Sequence, residues 1–332
     1  MRSFALKFST MFAAIFLFSS SLAVAQNAAP GTASFPWKPV TLISPFTPGS
    51  SSDQELRLYQ DLLTEQSRYQ VIVDFKPGAS GIIANSFVAK AAPDGHTLVY
   101  GNATPPILTA IRDDIPYDYL KDLAPVTLAT KRIFVLTVAQ SFPVNTYEEY
   151  IAYAKARPGE VTWSTLGPGG AFHMTGEWLA SAAGIKLNFI HYKGNAGAEL
   201  DLLAGRIHSA PNNIQNALPL AKSGKVKIIA IITSTRSPML PGLRTVAEMG
   251  IPGFEYPSWN GLITTGGVPS ATLTKLNADL VKVIRSPKAQ KIWETQGSIP
   301  IGSTADEFRQ LIATEIARWR KLTKDNNIKF EG

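Results

Sequence analysis

Short runs rich in β-branched residues alternate with segments of helical period along most of this chain, and Gly, Pro or Ser residues mark the junctions. The apolar run at 40–46 is followed by Thr47-Pro48-Gly49 and a helix pattern that gathers Leu56, Tyr59, Leu62 and Leu63 on one side. Ser52-Asp53-Gln54-Glu55 has capping-box spacing, which predicts that Glu55 reaches back to the helix start. A strand at Val71–Phe75 leads through the glycine-rich turn at 77–81 to a helix over 82–91, and Pro93-Asp94-Gly95 turns into a strand at 97–100. After a loop through Pro105-Pro106, strand patterns at 123–126 and 133–138 precede a helix over 146–156. The alternation then repeats: strand 161–164, loop 167–170 and helix Ala171–Ala183 closed by Gly184; strand 189–192, loop 193–195 and helix 196–204 closed by Gly205. Amphipathic helices over 272–284, 289–296 and 306–324 end the chain. Such alternation builds βαβ units, so the expected fold class is α/β, with mainly parallel sheets flanked by helices. A length of 332 residues suggests two domains, and a cleft between them is the natural place for a site.

The first 25 residues read as a secretory signal peptide. Arg2 and Lys7 precede an apolar run from Met11 to Phe18, then three serines and Ala23-Val24-Ala25, so the mature chain is expected to begin at Gln26. The apolar run is too short to span a membrane, and the stretch at 226–232 is interrupted by Lys227. The expected location is the periplasm. The absence of cysteine excludes disulfides, zinc–thiolate sites, iron–sulfur clusters, a cysteine nucleophile and a lipoprotein anchor. The formal charge of +7 includes Arg2 and Lys7, and no basic run is interleaved with aromatics, so nucleic acid is not an expected partner. A mild positive field suits an anionic small solute.

Three strand-to-helix loops carry small and hydroxylated residues: 47–53, 164–171 and 192–196. In an open parallel sheet, ligands bind beyond the carboxyl ends of strands, where free helix amides and the helix dipole attract anions. Each loop taken alone also reads as an ordinary capped helix start. No G-x-S-x-G elbow, Walker loop, G-x-G-x-x-G fingerprint or H-E-x-x-H helix occurs. His96, His173, His191 and His208 show no metal-ligand spacing, so no metal or cofactor is expected. Ser50, His173 and Asp53 form a triad on paper, but no elbow supports it.

The segments Pro45-Phe46-Thr47-Pro48-Gly49, Asp53 and Arg57, 76–81, 93–98, Tyr192-Lys193-Gly194, 201–205, 245–248 and Trp259-Asn260-Gly261 occur in an order that resembles the Bug family. The ending through Phe308 and Trp319 adds to the likeness, which covers nearly the whole mature chain. Bug proteins are periplasmic solute receptors of tripartite tricarboxylate transporters. The resemblance implies a two-domain periplasmic binding protein that closes like a flytrap on a small carboxylate, with no enzymatic activity. It also implies that main-chain amides, small hydroxyls and bridging waters hold the ligand. Carried onto this sequence, one lip consists of Phe46, Thr47, Ser50, Ser51 and Asp53, and the other of Gly170, Ala171, His173, Tyr192, Gly194, Asn195 and Ala196. Asn102 and Asn212 are candidates for the distal end of the ligand or are turn formers, and Phe46 and Tyr192 are apolar walls or packing residues. Asp53 either meets the ligand or favours the helix dipole, and Lys193 points to solvent.

Two departures bear on specificity. Ser50 stands where the family usually has glycine, and Gly205-Arg206-Ile207-His208 with Pro211-Asn212-Asn213 makes the second-domain wall unusual. The expected domains are 26–125 with 250–332, and 126–249. The expected ligand is a di- or tricarboxylate or an aromatic carboxylate. The expected partners are the membrane subunits of the transporter, with the receptor itself a monomer. A ligand-sensing partner of a membrane sensor kinase, or an exported hydrolase, are the alternative readings.

Overall fold

The computed structural model describes residues 35–67, 69–295, 297–326 and 328, without the side chains of Ser51 and Thr295. The expected signal peptide over 1–25 and the start at Gln26 lie outside these residues. Two units are distinguished, 1–37 and 38–332, and every element named below belongs to the second.

The chain first builds β1 (Val40–Ser44), α1 (Ser51–Ser67), β2 (Val71–Phe75), α2 (Ile82–Ala89), β3 (Thr97–Asn102), α3 (Thr104–Ile111) and β4 (Leu123–Arg132). It continues through β5 (Phe134–Ala139), α4 (Tyr147–Ala156), β6 (Thr162–Thr165), α5 (Ala171–Ala183), β7 (Asn188–His191), α6 (Asn195–Leu203), β8 (Ser209–Asn213), α7 (Ile214–Lys222) and β9 (Val226–Ile231). It ends with β10 (Trp259–Thr265), α8 (Ser270–Ile284), α9 (Pro287–Thr295), β11 (Ser298–Pro300) and α10 (Ala305–Asp325). Six strands form one sheet in the order β11-β4-β10-β3-β1-β2, and five form a second in the order β7-β6-β8-β5-β9. The fold is α/β with helices flanking both sheets. β1 runs parallel to β2 and β3, and β6 runs parallel to β7 and β8. β10, in contrast, is antiparallel to β3 and β4, and β5 to β8 and β9. The sheets are therefore mixed, because strands that enter or return between the sheets arrive without a preceding crossover helix.

The helix stripe read from the sequence is buried, with Leu56, Tyr59 and Leu62 at 0% exposure. Burying each such side chain is worth about 1.5–3 kcal/mol. The capping box expected at Ser52 and Glu55 does not form. The loop is closed two residues earlier: Ser50 Oγ accepts from Asp53 N–H at 3.2 Å, and Asp53 Oδ2 accepts from Gly49 N–H at 2.8 Å. Glu55 instead lies on the buried face, where it meets Arg132 and Tyr100.

β4 carries the chain past residue 125 within the first sheet, and the change of sheet falls at Ile133, between β4 and β5. The return passes through residues 232–258 beside it: Arg132 N–H donates to Ser258 O at 3.2 Å, and Tyr256 N–H donates to Ile232 O at 2.6 Å. α10 supplies a third link. It lies across β10, where a Cβ on Gly261 would sit 2.4 Å from the Phe308 ring, and its far end brings Trp319 within 5.8 Å of Trp178 on α5. Only glycine allows that approach to β10.

The same packing buries Glu315 on α10, whose Oε2 accepts from Trp259 Nε1 at 2.9 Å. Burial pushes its carboxyl up from 4.5 to about 7, against the lowering influence of the Trp259 bond and Arg318. Because the folded value is raised, this group's contribution to stability is full below about pH 4.5 and is lost as pH rises through 7. Glu315→Gln still accepts from Trp259 and carries no charge. Its stability relative to the parent should therefore rise between pH 5 and pH 8, by about 3 kcal/mol at full ionisation. Denaturation curves at the two pH values check this, and an equal difference at both contradicts it.

Candidate functional site

A cleft of about 630 Å³ opens between the two sheets, lined by loops beyond the carboxyl ends of their strands. Pro45 and Phe46 follow β1, Gly78, Ser80 and Gly81 follow β2, and Asn102, Ala103 and Thr104 come from the end of β3. The facing wall takes Leu166, Gly167, Pro168, Gly170, Ala171 and Phe172 from the loop after β6, Asn195 from the start of α6, and Pro211 to Asn213 with Gln215 and Asn216 from the β8–α7 junction. The floor is the sheet crossing itself, with Arg132, Phe134 and the return segment 256–260.

Four helices begin at or beside this lining: α2 after Gly81, α5 after Gly170 and α6 after Gly194 without a side-chain cap, and α3 after Ala103. The positive ends of their dipoles favour an anion. The first-turn amides of α2, α5 and α6 are unclaimed by capping side chains, whereas α3 offers its dipole alone, because Thr104 N–H donates to Asn102 Oδ1 at 2.9 Å and Pro105 and Pro106 carry no N–H. α7 differs, because its Asn213 side chain accepts from Gln215 N–H at 2.9 Å. Gly81 holds φ +93°, and a Cβ there would come within 3.1 Å of Pro105 at the start of α3.

The described lining contains no carboxylate. Carboxamides dominate its polar part: Gln54, Asn102 and Asn260 on one side, and Asn195, Asn212, Asn213, Gln215 and Asn216 on the other. Such groups both donate and accept, so they suit hydroxyls and carboxylates alike. Phe134, Phe172 and Tyr256 form an aromatic patch in the cleft, with ring centroids 4.3 Å apart for Phe134–Tyr256 and 5.4 Å for Phe172–Tyr256.

Among the described lining residues, Arg132 carries the one formal charge. Its Nη2 donates to Glu55 Oε1 and its Nε donates to Ser298 Oγ at 3.2 Å, while Tyr100 O–H donates to Glu55 Oε2. Glu55 is fully buried, and burial pushes its carboxyl up despite the opposing pull of Arg132 and the Tyr100 bond.

The structure separates the residues expected from the sequence into two groups. Phe46, Asn102, Gly170, Ala171, Asn195 and Asn212 line the cleft. Thr47, Ser50, Asp53, His173, Tyr192, Gly194 and Ala196 stand outside the lining. Thr47 O accepts from Ser50 N–H at 3.4 Å, and Asp53 closes its own loop while Arg57 Nε lies 2.9 Å from its Oδ1. His173 Nδ1 accepts from Gly169 N–H at 3.0 Å, which props the cleft-lining loop from behind. His191, joined to Thr165 Oγ1, stands beside it, with its imidazole held below the ordinary value by desolvation and by His173. Tyr192 O–H donates to Asp201 at 2.7 Å, and Gly194 and Ala196 flank the start of α6. The side chain of Ser51 lies outside the described residues.

The model of the tripartite tricarboxylate transporter family receptor matches residues 56–328. The chain belongs to this receptor family. Protein BugT of Bordetella pertussis is 31% identical over 313 residues, covering 93% of this chain and 96% of that protein. Among solved structures, an R. palustris protein with adipate is 32% identical with a TM-score of 0.74, covering 87% of this chain and 97% of its own. MatC from Rhodopseudomonas palustris with bound malate is 28% identical with a TM-score of 0.72, covering 87% and 99%. The family is one of solute-binding receptors, with the periplasmic binding protein fold.

Sequence reasoning missed the receptor's Arg132, the aromatic floor and the 78–81 loop. One signal was present: Glu55 precedes Tyr59 by one helical turn on the buried stripe, and an acid there requires a cationic partner. The structure gives Asp53 a loop-closing role that can be measured. Asp53→Ala removes the acceptor for Gly49 N–H and the partner of Arg57, and should lower stability by about 1–2 kcal/mol. An unchanged denaturation midpoint would contradict that role.

Proposed function

We propose that this receptor captures a small organic carboxylate in the cleft between its sheets and presents the closed form to the membrane subunits of a tripartite tricarboxylate transporter. The observation that carries the reading is the electrostatics of the cleft: four helix starts, three of them uncapped, one guanidinium, many carboxamides and no carboxylate among the described lining residues. An anion gains from each helix dipole and from the guanidinium, while a cation meets no opposite charge. The adipate and malate carried by two solved relatives fit the same chemistry.

The receptor works by binding, with no covalent step. The ligand enters the open cleft, and bending at Ile133 and in the 232–258 return brings the two walls together. On this reading the lobes are 38–132 with 259–328, and 134–231, so the two connections form the hinge. The leader at 1–25 sends the chain to the periplasm, and no helix among the described residues is long and apolar enough to cross a membrane. A monomer is the simplest form that opens and closes in this way.

A thermal-shift panel of succinate, malate, adipate, citrate and terephthalate, with uncharged amides as controls, tests the reading. A ligand at 100 times its dissociation constant adds about 2.7 kcal/mol, so at least one acid should raise the Tm visibly while the amides do not. Equal responses to acids and amides, or no response to any acid, contradict it.

A further inference from the structure

We propose that Arg132 is the specificity-determining residue of the cleft: its guanidinium, held by Glu55, Tyr100 and Ser298, receives the carboxylate of the ligand that lies nearest the sheet crossing. This rests on the carboxylate-capture reading and deepens it, by assigning recognition of charge to one side chain.

Three observations point the same way. First, position: Arg132 is the last residue of β4, one residue before the chain changes sheet, and it lines the cleft floor. A charge there faces a bound ligand and stands at the axis of any closure. Second, unused donors: Nε is taken by Ser298 and Nη2 by Glu55, whereas Nη1 has no hydrogen-bond partner among the described residues. A guanidinium carries five N–H donors in a fixed fork, so one edge is anchored and another remains for a carboxylate. Third, preorganisation: Glu55 on α1 is fully buried and is itself bonded by Tyr100 on β3, while Ser298 pairs with Arg132 across the β4–β11 ladder. The guanidinium is therefore set before the ligand arrives and loses little freedom on binding.

A buried ion pair built only for stability is a weak device, because desolvation offsets most of the attraction. Here the cation is one-fifth exposed and the acid is wholly buried, which is the arrangement expected of an acid that positions a cation for a third group. Glu55 acts as a positioning residue and Arg132 as the contact.

The test is titration calorimetry of the full chain with the same panel of acids and their amides, using Arg132→Gln, Arg132→Lys, Glu55→Gln and the double variant Glu55→Gln/Arg132→Gln. The double variant replaces the pair by neutral isosteres and leaves no unpaired buried charge. The expected order of acid affinity is parent, then Arg132→Lys, then Arg132→Gln, with the last weakened by about tenfold or more, since charge-assisted bidentate bonds are the strong ones. Glu55→Gln should lower the preference for acid over amide while Arg132 is retained, a ratio that a purely structural role would not move. Parental acid affinity in Arg132→Gln or in the double variant overturns the proposal and leaves carboxylate capture standing. Failure of the parent to bind any acid overturns both.

Discussion

The chain first passes between its two sheets at a single residue, Ile133, with an ion-paired arginine on one side and a phenylalanine packed against Tyr256 on the other. Most of the site depends on that crossing. It fixes where β4 and β5 part, and it places the return segment beside them through the Arg132–Ser258 and Ile232–Tyr256 backbone bonds. The loops after β1, β2, β3 and β6 and the β8–α7 junction then open toward the same gap. The cleft is a consequence of how the sheets are joined, and its chemistry follows from which strand ends meet there.

An anion site can be built from charged side chains or from backbone. On the proposed reading this receptor uses both, in different places. The helix starts after Gly81, Gly170 and Gly194 offer amide groups and dipoles with no side chain competing for them, and α3 adds its dipole. Such groups impose little shape and accept many acids, and two solved structures similar to this chain carry adipate and malate. Arg132 adds a fixed point. The residues behind the lining keep the loops in place: Asp53 under the first loop, His173 under the 167–170 loop and Tyr192 against α6.

Much of the architecture was legible because local signals agreed. Ala171–Ala183 with Gly184 in the left-handed conformation is where the periodicity and the glycine put it, and the stripe of α1 is buried as read. Elsewhere, tertiary structure overrode the local pattern. α3 begins with Pro105 and Pro106 in its first turn, where a missing N–H costs nothing, so residues that read as a loop start a helix. α7 carries Pro219 in its interior, which removes a helical N–H and argues locally against a helix there. Ser52 and Glu55 had the spacing of a capping box, but Glu55 gains more from a guanidinium 77 residues away than from its own helix start. That distance in sequence also hid Arg132. Of the expected site residues, Phe46, Asn102, Gly170, Ala171, Asn195 and Asn212 reached the lining, whereas Ser50, Asp53, His173 and Tyr192 turned back to brace their own loops.

The central claim is that a carboxylate is held at the helix starts around the sheet crossing. Amide hydrogen exchange tests it most directly, with and without the acid that gives the largest thermal shift at saturation. The account predicts slower exchange confined to the first turns of α2, α5 and α6 and to the segments flanking Ile133. Protection elsewhere, as in the surface groove between α4 and residues 249–251, or no protection at the helix starts, would contradict it.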